Sequence, residues 1–240
     1  MSTRGALIAL SGVDCAGKTT QREALRRALT AWGCTPLVLW TRAGYTPGLE
    51  ALKRLARKVA LCRPRRARGG VSREPARYPR RASDLRHPLK RRLWLTAALL
   101  DLLWIYGLRL RVARWLGRTV VCDRYLLDCL VDLRVNFPDD GVERRALTRL
   151  LRRISVRPDA AFCLWLPPEV SLERARAKQR FHWETPEVLG ARARAYQTLA
   201  HELAVDVLDG RQAPEALTRA LLGTLLPVLP LREIELRGSA

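Results

Sequence analysis

The sequence predicts an α/β protein in three layers, with a parallel sheet of five strands between helices. Three observations carry this. Short apolar runs rich in Val, Leu and Ala recur along the chain, each bounded by turn residues. Segments of helical periodicity separate them, an alternation that builds a parallel sheet covered on both faces. The first run opens into a glycine-rich turn, Ser11 to Thr20, and a helix follows at once.

The elements follow in order. "RGALIALSG" is a buried strand that stops at the turn. Lys18 to Trp32 has the spacing of a helix (Ala24, Leu25, Ala28, Leu29) and Gly33 ends it. "TPLVLW" is a second buried strand, and "PGLEALKRLARKVAL" a helix opening on Pro47. Residues 62 to 88 are rich in Arg, Pro and Gly without apolar periodicity, which predicts a long surface loop or disordered insertion. An apolar helix runs from Leu89 to about Leu116 and Gly117 breaks it. "RTVVCDRY" is the third strand with its outgoing turn. Helices cover Leu126 to Val135 and Val142 to Ile154. "DAAFCLWL" is the fourth strand, and "PPEVSLERARAKQR" and "TPEVLGARARAYQTLAHEL" are helices. "AVDVLDG" is a short fifth strand and "APEALTRALLGTLL" the closing helix. A single domain over 1–228 with a tail at 229–240 accounts for the chain.

Composition narrows the function classes. The formal net charge is +21, and residues 53 to 92 hold 16 Lys or Arg against Glu74 and Asp84. Of the 44 basic residues 39 are Arg, a bias that a GC-rich genome also produces. A basic segment of this kind could dock on an anionic polymer or membrane surface. Tyr78 is its one aromatic residue, which disfavours single-strand base stacking and makes nucleic acid an unlikely primary partner. The six cysteines, Cys15, Cys34, Cys62, Cys122, Cys129 and Cys163, include no CxxC pair and no zinc spacing. They read as reduced thiols of a cytoplasmic protein. No apolar leader precedes the first strand. Asp101 and Arg109 interrupt the longest apolar run, so a buried helix is expected there and not a membrane span.

Chemistry concentrates in two places. Gly12-x4-Gly17-Lys18-Thr19, between a predicted strand and a helix, has the spacing of a P-loop. Its residues Gly12, Val13, Asp14, Cys15, Ala16, Gly17, Lys18, Thr19 and Thr20 would bind ATP. Glycines let backbone N–H groups face phosphate oxygens, Lys18 supplies a mobile cation, and Thr19 offers a hydroxyl to Mg2+. The second is "TVVCDRY". A strand ending in Asp123 sets a carboxylate at the carboxyl edge of the sheet, where ligands of open α/β sheets gather. Asp123 would hold Mg2+ directly or through water, and Arg124 would clamp an anionic acceptor.

With these motifs in order, the chain resembles the thymidylate kinases, a group of nucleoside-monophosphate kinases. The resemblance is carried by "GVDCAGKTT", "TRAGYTPGLE", "VVCDRY" and "RPDAAFCLWLPPEVSLERARAKQRFHWE", followed by "ARAYQTLA" and "VDVLDG". It implies the P-loop kinase fold with a short helical lid at 174–185, and transfer of the ATP γ-phosphoryl group to a nucleoside monophosphate. It also implies residue roles. Asp14 faces the acceptor's sugar and the reaction centre, Arg124 holds the acceptor phosphate, and Arg42 and Tyr45 line the acceptor site. Some members carry a catalytic Arg at the loop position of Cys15; others place the cations in the lid. Here the lid holds Arg174, Arg176 and Lys178, which become the expected catalytic cations beside Lys18, Asp14 and Arg124. A homodimer through the apolar helix is a further implication; that helix could equally be core.

The resemblance weakens at the acceptor. The family reads thymine with an aromatic residue and an Arg four positions later, which fall near Ala98 and Leu102 here. No Arg occurs between Arg92 and Arg109, and Ala43 replaces an acidic residue of the family's T-R-E-P. Asp128 and Asp132 stand four apart on one helix face. Either they face the acceptor, or they pair with Arg124, Arg134 or the basic insertion. The acceptor is therefore either dTMP or an analogue, or else a modified nucleotide or hydroxylated metabolite.

Overall fold

The computed structural model describes residues 4–42, 87–138, 141–178 and 184–229. Five strands form one parallel sheet: β1 (Leu7–Gly12), β2 (Leu37–Trp40), β3 (Val120–Asp123), β4 (Ala160–Trp165) and β5 (Asp206–Asp209). Their spatial order is β2-β3-β1-β4-β5. Register pairs Leu10 with both Asp123 and Phe162, so the ends of β1, β3 and β4 lie side by side. Every parallel connection needs a crossover, and the helices supply it. They are α1 (Lys18–Ala31), α2 (Pro88–Trp115), α3 (Leu126–Asn136), α4 (Ala146–Ile154), α5 (Pro168–Ala177), α6 (Pro186–Glu202) and α7 (Pro214–Leu225).

β1 is buried on both faces, which its unbroken apolar run requires. Leu7, Ile8 and Leu10 have no exposed surface, and each such side chain contributes about 1.5–3 kcal/mol through burial. The expectation of a buried second strand is corrected. β2 is an edge strand, half-buried, with Trp40 exposed at its end.

Two helices end or divide differently from the sequence reading, and a third changes its pitch inside. Residues 142–154 divide into a 3-10 turn (Val142–Arg144) and α4, because Arg145 takes an extended backbone between them. The helix after β4 ends at Ala177. The long helix α2 contains a π-helical stretch, Leu103–Arg109. Gly107 lies inside it, and a Cβ there would sit 2.9 Å from the Ile154 side chain. The wider turn thus lets the end of α4 pack on the backbone of α2.

The expectation that the α2 segment is a buried helix holds for one side of it. Leu95, Leu99, Leu102, Tyr106 and Leu110 enter the core. Leu93, Leu100, Trp104, Leu108 and Trp115 form an exposed stripe on the other side. Among the described residues α2 is the one helix long and apolar enough to cross a membrane, but much of it is buried within the protein. Its C-terminal end is fixed by Arg114, which donates to the Gly5 carbonyl (2.9 Å) and to both oxygens of Asp159 (2.8 and 2.6 Å). Asp159 in turn accepts from the Leu7 N–H at 2.6 Å, tying the lower ends of β1 and β4 to the helix.

The helix expected from Pro47, most of the basic insertion, and residues 230–240 of the expected tail lie outside the described residues.

Candidate active site

The site begins where β1 stops. Gly12 has φ 139, and a Cβ there would stand 2.1 Å from the Leu164 carbonyl oxygen of β4. Only glycine fits. The chain turns from that point, Val13 N–H donating to the same carbonyl at 3.1 Å. Cys15 (φ 60) and Gly17 (φ 94) complete a loop of left-handed residues that ends in the first turn of α1. No side chain caps α1. Its first N–H groups and the positive end of its dipole therefore face the loop, an arrangement that favours phosphate.

Lys18 folds back over this loop. Its Nζ donates to the carbonyls of Gly12 (2.7 Å) and Val13 (2.6 Å) and lies 3.9 Å from Asp14 Oδ1. Burial, with help from the Arg124 charge, pushes its ammonium down to about 8, although Asp14 and two other carboxylates oppose the shift. The cation is thus poorly solvated and strongly attracted to any anion that enters.

β3 delivers the opposing cation. Arg124 has φ 74, a left-handed backbone that costs a non-glycine residue about 1–3 kcal/mol. Its N–H donates to the Leu10 carbonyl (2.9 Å), and its own carbonyl accepts from Thr41 Oγ1 (2.7 Å). These bonds hold the turn and aim the guanidinium at the P-loop. Nη2 donates to Asp14 Oδ1 at 2.8 Å. Burial raises the Asp14 carboxyl, but Lys18 and Arg124 outweigh it and hold the group well below the usual carboxylate range. Asp14 is therefore an ionised bridge between a cation of the P-loop and a cation of β3. The Ser171 hydroxyl of α5 donates to the Asp14 carbonyl at 2.8 Å and holds its backbone.

The two aspartates of α3 take up internal partners. Asp128 is 3% exposed and accepts from the Tyr125 N–H (3.0 Å), the Tyr196 hydroxyl (2.8 Å), Arg124 Nη1 (3.5 Å) and the Gly12 N–H (3.5 Å). It caps α3 and braces the P-loop at once. Asp132 accepts from Arg192 Nη1 at 2.6 Å and from Arg42 Nε at 3.1 Å. Burial opposes ionisation of Asp132, and the Arg42 and Arg192 charges overcome it. Arg192 also forks onto Glu184 (3.0 and 2.6 Å) and reaches Asn136 at 3.3 Å. Asp128 with Tyr196 and Asp132 with Arg192 make a ladder between α3 and α6, which run antiparallel. Arg134, one of the partners anticipated for the aspartates, binds Glu143 instead at 2.6 Å.

The remaining predicted residues are dispersed. Asp123 accepts from Arg22 of α1 at 2.7 Å, and Thr19 and Thr20 are exposed in the first turn of α1. Arg174 donates to the Gly210 carbonyl at 2.8 Å, and a Cβ on Gly210 would lie 3.2 Å from the Ala16 carbonyl oxygen. Arg174 is thus beside the P-loop, while Arg176 and Lys178 face solvent. Tyr45 and residues 179–183 of the expected lid lie outside the described residues. Among the described residues no three His, Cys, Asp or Glu side chains cluster as metal ligands.

Sequence reasoning missed Arg22, Ser171, Arg192 and Tyr196. One signal was available for the last two. Arg192 and Tyr196 stand four apart on α6, the same spacing as Asp128 and Asp132 on α3.

No family model matches the chain. It is 26% identical over 223 residues to a thymidylate kinase of Ruegeria pomeroyi, covering 88% of this chain and 90% of the relative. It is 29% identical over 180 residues to a thymidylate kinase of Dinoroseobacter shibae, covering 74% and 72%. A solved structure of deoxyadenosine kinase from M. mycoides, with dCMP and dCDP bound, superposes with a TM-score of 0.57 at 14% identity. That match covers 91% of this chain and 98% of the solved one and concerns the fold. The chain is thus similar to two thymidylate kinases over most of their length and has the fold of a nucleoside kinase, which is consistent with a divergent thymidylate kinase-like protein.

Proposed function

We propose that the protein is an ATP-dependent kinase that moves the γ-phosphoryl group of ATP to a nucleoside monophosphate, dTMP or an analogue of it. The observation that carries this reading is the Lys18–Asp14–Arg124 bridge, spanning 3.9 and 2.8 Å. Donor and acceptor are both anions, and their repulsion must be neutralised before an acceptor oxygen can attack phosphorus. Backbone N–H groups of the P-loop and Lys18 take the donor phosphates. Arg124 takes the acceptor phosphate. Asp14 keeps both cations in place and offers a carboxylate to the acceptor's sugar. Arg174, held beside the P-loop through Gly210, is the lid cation we assign to the transferred group.

Mg2+ belongs with this chemistry and would supply positive charge to the donor phosphates. Thr19 and Asp123 would hold it. They fit an ion of this kind, which is bound through one or two protein ligands, phosphates and water. Asp123 Oδ2 is engaged by Arg22, and its other oxygen has no hydrogen-bond partner among the described residues.

A second reading keeps the kinase core and changes the acceptor. It is favoured by the absence of Arg from residues 93–108, where the base-reading Arg was expected. A coupled ADP-release assay over a panel of monophosphates separates the two. Turnover of dTMP far above all others supports the first. Turnover of another monophosphate, with dTMP inactive, supports the second. Failure with every monophosphate would overturn the monophosphate-kinase reading.

The exposed stripe on α2 supports a homodimer as part of this proposal. Trp104→Glu with Leu100→Glu is expected to convert a dimer of wild-type chains to monomers in light scattering. A wild-type protein that is already monomeric would contradict it. The five free cysteines among the described residues fit a reducing compartment such as the cytoplasm.

A further inference from the structure

We propose that a cavity behind the P-loop is a binding site for a small monocarboxylate with an apolar body. The cavity, part of it open to solvent, has a volume of about 230 Å3. That is just below the roughly 300–1,000 Å3 of drug-sized sites and suits a smaller ligand. Its floor exists because two neighbouring strands carry small residues on one face: Ala9 of β1 stands beside Ala161 of β4. The C-terminal ends of α4 and α6 border the space with Arg152 and Ser155, and with Glu202 and Leu203. Leu127, Val156 and Leu203 make apolar walls.

The inner end is polar. Ser11 is 2% exposed and lines the cavity, and its hydroxyl has no partner among the described residues. The hydroxyl opens onto the cavity, where a ligand group or water can meet it. The mouth is charged. Arg152 binds Glu202 at 3.2 Å, and Arg157 lines the same opening with its guanidinium in no ion pair among the described residues. The mouth therefore carries one surplus positive charge. A planar monocarboxylate matches one guanidinium in charge and geometry, whereas a dianion would be left with excess charge beside Glu202.

The position gives the site a consequence. Ser11 is bonded to Gly12, the first residue of the P-loop. Tyr125, also in the wall, follows Arg124 directly. Occupancy is transmitted to both turns through one peptide unit each.

Binding of 4-phenylbutyrate, measured by calorimetry and by amide chemical shifts, tests the proposal without any assay of phosphoryl transfer. Saturable one-to-one binding is expected, with the uncharged 4-phenylbutanol at least about tenfold weaker. Amides of Gly12 and Arg124 should shift during the titration. Arg157→Glu, an exposed change, should weaken binding about tenfold or more. Ala161→Leu should abolish it by filling the floor. Absence of saturable binding up to about 10 mM would overturn the proposal. So would acid and alcohol binding alike, shifts confined to α2, or unchanged affinity in Arg157→Glu.

Discussion

Lys18→Met is expected to abolish phosphoryl transfer, by about 10²–10³-fold or more, while leaving the protein folded. The stability expectation is the less obvious half. Lys18 is buried, and its ammonium is held at about 8, below its ordinary value of 10.5. Between those two values the unfolded chain keeps the proton and the folded one has lost it. Stability therefore rises with pH across that window, and below it the fold carries a constant penalty for the charged form. Methionine keeps the stem and removes the charge. The melting temperature of the variant at pH 7 should equal that of the wild type within a few degrees, or exceed it. The same titration sets an activity limb: kcat/KM for ATP should fall as pH rises through about 8. An active Lys18→Met protein would contradict the P-loop assignment. A variant that is inactive because it is unfolded would contradict the reading of Lys18 as a strained cation.

Arg124→Met is expected to raise the acceptor KM by about 100-fold, the scale of one charge-assisted contact of roughly 1.5–3 kcal/mol. ATP affinity should stay within about threefold, because the P-loop and Lys18 are untouched. This variant should also lose about 2–4 kcal/mol of stability, since Asp128 stays buried without its nearest cation. The three other donors to Asp128 place the loss toward the lower figure. A pH dependence separates this from simple packing damage. Asp14 is held well below the usual range partly by Arg124, so its contribution is present above about pH 4 and fades in acid. The variant has less of it to lose, and the gap in melting temperature should narrow as pH falls. Selective loss of ATP binding, with the acceptor KM unchanged, would show Arg124 to be misassigned.

Both variants touch the same carboxylate, so their effects are coupled. Asp14 mediates between the loop cation and the β3 cation at 3.9 and 2.8 Å. The double variant should therefore lose less transition-state stabilisation than the sum of the two single losses.

The sheet, its strand count and the P-loop were legible because each is written in contiguous residues. "ALIALSG" cannot leave its apolar run in water, and Gly12 and Gly17 sit where the loop adopts positive φ. Lys18 and Arg124 were legible for the same reason: each is fixed to a strand end by the residues beside it. The role of Arg145 in breaking a helix was not legible, since its neighbours have ordinary helical spacing. Nor was the half-burial of β2, which depends on its place at the edge of the sheet and not on its composition.

The aspartates of α3 mark the boundary most clearly. Their spacing put Asp128 and Asp132 on one helix face, and spacing alone left two partners open for that face. Folding brought α6 across it, 60 or more residues away in the chain, with Arg192 and Tyr196 in antiparallel register. Local periodicity determines which side of a helix is polar. Only packing determines which polar group from a distant segment will be close enough, and dry enough, to hold it.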